Sequence, residues 1–198
     1  MPGTIYDKFV PNLIPDKEFN ILCVGESPGE DEEYQGKPFV GQAGQLLAEV
    51  FLRNGLDIYT DVGLANLSNY RPQNNKFEHL FASPQLKQGI EDVKKIILER
   101  KPNVIATLGR WPTEYLTGRV GITRYRGSIL SGIGEGKYIP TFHPSFVARN
   151  KSSYPIFAVD IKRIVSDSGF PDLFLATKLG WKVGIYFPSP IPERILPR

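Results

Sequence analysis

The sequence predicts an α/β fold, a three-layer α/β/α sandwich with a mostly parallel central sheet. Two observations carry this: short apolar runs that each close on a glycine or a polar residue, and stretches of helical periodicity between them. Alternation of this kind joins parallel strands through helices that cover both faces of the sheet.

The first run, Phe19-Asn-Ile-Leu-Cys-Val-Gly25, reads as a buried strand entering a loop. Ala43–Asn54 follows with Leu46, Leu47, Val50 and Phe51 at helical spacing. A second strand, Val62–Leu67, leads into Arg71-Pro72-Gln73-Asn74-Asn75, too rich in Asn and Pro for regular structure. Ser83-Pro84 opens a helix to about Lys101, with Pro84 in the first turn and Ile90, Val93, Ile97 and Leu98 on one face. Asn103-Val-Ile-Ala-Thr-Leu-Gly109 repeats the strand-to-glycine pattern. Beyond it lie a short helix at Trp111–Leu116, short strands at Ser128–Leu130 and Lys137–Thr141, and a covering helix at Tyr154–Asp167. Residues 1–169 are expected to form one domain. Residues 170–198 read as a Pro-rich extension that packs on the domain or serves as a linker, with one edge strand at Trp181–Phe187.

A chain of 198 residues with 41% apolar content suits one sizeable core. The longest apolar runs fall far short of the roughly 20 residues of a membrane span, and the N-terminus carries no signal-peptide pattern, so a soluble, intracellular (cytoplasmic or nucleoid-associated) protein is expected. Its single cysteine, Cys23, excludes an intramolecular disulfide and any site built from several thiolates of this chain. With two histidines, no metal site is expected. The net charge of +3 suits nucleic acid but does not require it.

In parallel sheets, ligands sit beyond the carboxyl ends of the strands, so the loops that follow strands are where chemistry is sought. Gly25-Glu-Ser-Pro-Gly29 allows close backbone approach, and the Glu26 carboxylate can position a water; a tight turn with an exposed acid is the plainer reading. The spacing fits neither a phosphate-binding P-loop nor a dinucleotide fingerprint. Phe39, in Gly36-Lys-Pro-Phe-Val-Gly41, offers a ring for a flat ligand, although an isolated Phe is more often a core plug. Asn66 has an amide able to pair with a base edge or simply to tie down its loop. A lone histidine is usually structural, yet His143, held between Phe142 and Pro144 at a strand end, is placed to hydrogen-bond a developing anion.

In order, Gly25-Glu-Ser-Pro-Gly-Glu30, Gly36-Lys-Pro-Phe-Val-Gly41-Gln-Ala-Gly44, Asn66 with Arg71-Pro72, Ile122-Thr-Arg-Tyr-Arg-Gly127 and His143-Pro-Ser145 resemble the family 4 uracil-DNA glycosylases over about residues 19 to 165. The resemblance implies an enzyme that flips uracil out of DNA and hydrolyses its N-glycosidic bond, starting base excision repair. It makes Phe39 the ring on which uracil stacks and Asn66 the amide that reads its polar edge. Glu26 and the backbone at Gly25 become the catalytic floor, and His143 the donor to the leaving base. Phe146 or Val147 falls where an apolar wedge enters the duplex, and Ser27, Pro28, Arg126, Ser145 and Arg149 lie along the DNA. Uracil-containing DNA is the implied partner; a monomer is expected because such an enzyme acts on one site at a time, and the Pro-rich tail is a candidate for contact with a repair or replication protein.

The same family carries four cysteines that bind an iron–sulfur cluster, and this chain departs from it there. Tyr70 stands where one ligand would be and the N-terminal pair is missing, so no cofactor is expected. Serine at position 27 is a second departure, from the alanine or glycine common in the family. Two other readings compete: a non-catalytic DNA-binding or partner-docking module of the same fold, and a glycosylase for another deaminated or mismatched base.

Overall fold

The computed structural model describes residues 8–170; the extension beyond Phe170, with the strand expected at Trp181–Phe187, lies outside the described residues. Four strands, β1 (Ile21–Gly25), β2 (Gly63–Asn66), β3 (Val104–Leu108) and β4 (Lys137–Thr141), form one sheet in the order β2-β1-β3-β4, and every pairing is parallel. The helices are α1 (Glu30–Gln35), α2 (Gln42–Arg53), α3 (Pro84–Arg100), α4 (Arg110–Thr117), α5 (Ile122–Tyr125), α6 (Pro144–Arg149) and α7 (Tyr154–Ser168).

The strands are uninterrupted in burial because both faces of the sheet are covered. Successive residues then alternate between two cores. Ile21, Cys23, Leu64 and Ala106 pack with Leu47, Val50 and Phe51 of α2 and with Phe157, Ile161 and Ile164 of α7. Leu22, Val24, Ala65 and Ile105 pack with Leu86, Ile90, Val93 and Ile97 of α3. These two cores make the three layers. α3 begins where its sequence says it should: Ser83 Oγ accepts from the Leu86 N–H at 3.1 Å, and Pro84 takes the first turn, where its missing N–H costs nothing.

Ser128–Leu130, expected as a strand, is not one: a single antiparallel bridge joins Leu130 to Tyr138. The approach to that bridge is a turn, in which the Ser128 N–H donates to the Tyr125 carbonyl and the Gly127 N–H to the Pro140 carbonyl, leaving no ladder to extend. Three short helices, α1, α5 and α6, lie in segments whose sequence reads only as loop.

Strand order places the site. The chain moves from β1 to β2 on one side and returns to β3 on the other, so the loops after β1 and β3 diverge and open a crevice between them.

Candidate active site

The loops at the carboxyl ends of β1, β2 and β4 meet in this crevice, around a cavity of about 310 Å³ lined by Glu26, Phe39, Asn66, His143, Ser145 and Arg149 among others. That is near the lower end of the roughly 300–1,000 Å³ usual for small-molecule sites.

Two glycines mark where the side chains converge. A Cβ on Gly25, the last residue of β1, would lie 2.5 Å from Asn66 Oδ1 and 2.9 Å from the Phe39 ring, so the amide and the ring meet over bare backbone. A Cβ on Gly109, which follows β3 with φ of 96°, would lie 3.0 Å from Glu26 Oε1 and 2.9 Å from His143 Cβ. Amide and ring thus meet at Gly25, carboxylate and imidazole at Gly109, and all four side chains line the one cavity.

Phe39 packs in the core and also lines the cavity. It is only 7% exposed, and the Cζ–Cε1 edge of its ring is turned toward Gly25. Its φ of 56° is unusual for a side chain of this size. The Tyr59 hydroxyl, which donates to the Phe39 carbonyl at 2.8 Å, helps to hold that conformation.

His143 caps α6. Its Nδ1 accepts the Ser145 backbone N–H at 3.1 Å and lies 2.7 Å from Ser145 Oγ. An Nδ1 that accepts from a backbone N–H carries no proton, so the neutral ring presents Nε2–H as its donor. Burial, aided by the Arg149 charge, lowers its pKa from 6.5 to about 4. Glu26 moves the other way, from 4.5 to about 7. Burial is the main cause, the Glu78 charge adds to it, and the Trp111 backbone N–H with Arg110 and Arg149 offsets part of it. Near neutral pH the imidazole is uncharged, while the carboxyl is close to its midpoint.

Ser27 and Pro28 line the cavity, and Arg149 is exposed at its rim. Arg149, Ser145, His143 and Glu26 also form part of a second cavity of about 300 Å³, which Arg110, Phe142 and Phe146 complete. Ser145 is thus engaged with the imidazole as well as facing both cavities. Of the two wedge candidates, Phe146 is 41% exposed, whereas Val147 is 1% exposed and sits in the core, because α6 turns that face toward α2. Of the pair, Phe146 is thus the one whose side chain is presented to solvent.

Arg126 is not brought to the cavity either. Its guanidinium donates to the buried Asp160 carboxylate through two bonds of 3.0 and 2.9 Å, and Thr141 donates to the same carboxylate. Arg126→Ala is expected to destabilise the protein by about 3 kcal/mol, because a carboxylate 2% exposed loses its counter-charge. In thermal unfolding that is a fall of roughly 6–12 °C. An unchanged midpoint would return Arg126 to the DNA surface.

Two residues at the site escape a reading of the sequence alone. Glu32 is buried: its Oε1 accepts the Gly41 N–H at 2.8 Å and its Oε2 the Gly29 N–H at 3.1 Å, tying the loop after β1 to the one that carries Phe39. A signal for it exists, since an acid three residues after a helix-capping position reaches back to free N–H groups. Arg110 stands at the start of α4, its guanidinium 4.1 Å over the Trp111 ring, and nothing local in the sequence marks it.

A four-thiolate cluster does not fit these residues. Cys23, the single cysteine, is fully buried in β1, where burial pushes its thiol pKa up. Among the described residues no group of three or more His, Cys, Asp or Glu is placed to hold a metal ion. Tyr70 instead meets the Phe9 ring edge-on at 5.6 Å. Among the described residues, too, no helix is long and apolar enough to cross a membrane.

A parallel sheet covered on both faces, with an amide, a ring, a carboxylate and an imidazole gathered beyond its carboxyl edge, has the architecture of an α/β enzyme. Residues 11–165 match the model of the uracil DNA glycosylase superfamily, and the chain belongs to that family. It is 36% identical to a type-4 uracil-DNA glycosylase of Thermotoga maritima over 151 residues, 73% of this chain and 71% of the relative. It is 34% identical to that of Saccharolobus solfataricus, covering 79% and 76%, and 32% identical to that of Archaeoglobus fulgidus, covering 79% and 80%.

Proposed function

We propose that this protein is a uracil-DNA glycosylase that takes uracil out of the stack and hydrolyses its bond to deoxyribose, leaving an abasic site for base excision repair. The observation that carries the reading is the convergence of Phe39 and Asn66 on Gly25, and of Glu26 and His143 on Gly109, in one cavity.

Each side chain then has one task. Phe39 stacks on the flipped base, and the Asn66 amide pairs with its polar edge, donor to acceptor. As the glycosidic bond breaks, its electron pair goes to the base and the sugar becomes cationic. His143 Nε2–H donates to the uracil oxygen that gathers the negative charge. The Glu26 carboxylate orients a water toward the sugar carbon and favours the positive charge there. Unstacking costs a few kcal/mol, which the exposed Phe146 ring, entering the space left in the duplex, offsets together with Arg149, Ser27, Ser145 and Pro28 along the strand. The enzyme acts as a monomer, one molecule on one uracil in DNA. The single cysteine supports an enzyme that works without an iron–sulfur cluster.

The test is alkali cleavage of an end-labelled oligonucleotide bearing one uracil, after incubation with the protein in EDTA and beside a thymine control. Uracil-dependent cleavage is expected. Asn66→Ala is expected to lower kcat/KM about a hundredfold, the cost of an unpaired polar edge in a dry site. Intact DNA with retained binding would favour a non-catalytic module, and release of another deaminated base in preference to uracil would redefine the substrate.

A further inference from the structure

The amide that reads the base sits at the end of a short strand, and that strand end is held by a segment far away in sequence. Residues 8–14 run antiparallel beside β2 and the loop that follows it, as a strap. Leu13 and Leu64 exchange backbone hydrogen bonds of 2.8 Å in both directions. Val10 N–H donates to the Asn69 carbonyl at 2.9 Å, and Asn69 Nδ2 donates back to the Val10 carbonyl at 2.8 Å. Phe9 closes the strap against Tyr70, and Lys8 Nζ reaches the Tyr34 carbonyl just past the helical acids of α1.

Asn12 lies at the centre of this strap. Its Oδ1 accepts the Asn66 backbone N–H at 3.2 Å and Asn69 Nδ2 at 3.1 Å. The backbone of the residue that faces the base and a side chain of the loop after it thus share one acceptor, beside the Leu67 N–H to Gly25 and Ser68 N–H to Glu26 bonds that tie the same stretch to the end of β1. Asn66 and Asn69 are each 4% exposed and Ser68 is fully buried, so this strand end has little water to satisfy it if the oxygen is removed. A displacement of about 1 Å in a recognition amide is enough to break a hydrogen bond whose working range is roughly 2.7–3.2 Å.

We propose that Asn12 is a positioning residue for base recognition, and that the strap of residues 8–14 sets the Asn66 amide against uracil by hydrogen bonds and the Phe9–Tyr70 contact, without a metal. This rests on the uracil-binding reading of the cavity. Asn12 does not itself line the cavity and acts through Asn66.

The test uses the full chain and the acceptor chemistry of residue 12. Asn12→Ala deletes the oxygen; Asn12→Asp keeps it. The measurement is the affinity for free uracil, followed by ligand-observed NMR, together with kcat, KM and the pH profile on a uracil-containing oligonucleotide. Asn12→Ala is expected to weaken uracil about tenfold and to lower kcat/KM by a similar factor, with the pH profile unmoved because Glu26 and His143 are untouched. Asn12→Asp is expected to stay within about threefold of the parent. Should Asn12→Ala fail to fold, Phe9→Ser removes an exposed ring from the same strap and is expected to weaken uracil about threefold. Parent-like uracil affinity in a folded Asn12→Ala or in Phe9→Ser, or equal losses in the Ala and Asp variants, would overturn the proposal. A parent protein that binds uracil but leaves DNA intact would sink the glycosylase reading alone, since the affinity ratios would still judge the strap.

Discussion

His143→Ala is expected to lower kcat by about 10²- to 10³-fold while changing KM little, because the lost donor faces charge that appears only as the glycosidic bond breaks. Folding should survive the change, although α6 loses the cap that the imidazole gives to the Ser145 N–H. Single-turnover release of uracil under saturating enzyme isolates this step from product release. The mechanism requires a neutral imidazole. With its pKa held near 4 and Nδ1 occupied by the Ser145 N–H, His143 keeps one protonation state from about pH 5 upward. It should therefore contribute no titration to the rate above that pH. His143→Gln, which restores an N–H donor without a ring, is expected to recover part of the loss. A variant with parent-like kcat and a raised KM would assign His143 to binding alone.

The parts of this site that follow strands are legible in the sequence. Glu26, Asn66 and His143 each stand at the end of an apolar run in a pattern that joins parallel strands, and such ends are where ligands gather. Phe39 is marked by its flanking glycines. Gly44 shows why those are needed: a Cβ there would lie 1.9 Å from the Phe39 carbonyl oxygen. Residues whose role depends on a partner across the fold are not legible. Of the two bonds of Glu32, the one to Gly29 follows a local capping pattern but the one to Gly41 needs the loop to fold back, and Asn12 gains its partner 54 residues away.

The same limit explains where structure and expectation part. α1, α5 and α6, at six, four and six residues, are too short for a 3.6-residue period to show. Without α6 as a helix, Phe146 and Val147 are equivalent neighbours; with it, a turn of about 100° sends one to solvent and the other into the core. Arg126 reads as a spare cation because its counter-ion, Asp160, lies 34 residues further along the chain.

Glu26→Gln is expected to make the protein less active and more stable at once. Loss of the carboxylate that orients water should lower kcat by about 10²- to 10⁴-fold. The stability effect follows from the direction of the pKa shift. A carboxyl whose pKa rises from 4.5 unfolded to about 7 folded binds its proton more tightly in the native state, so its contribution is complete below pH 4.5 and is lost as pH rises through 7. At pH 8 the native state carries a buried charge at a cost on the order of 3 kcal/mol, from a shift of roughly 2.5 units at about 1.4 kcal/mol each. The neutral amide of the variant carries no such charge. Urea unfolding should therefore show the variant more stable than the parent at pH 8, with the gap closing as pH falls toward 4.5. The parent's kcat/KM should climb through about pH 7 as the carboxylate forms, and that limb should be missing from the residual activity of the variant. Equal stability of the two proteins at pH 8, or a parent rate that is flat from pH 5 to 8, would show that Glu26 is ionised throughout and that its burial does not tune the reaction.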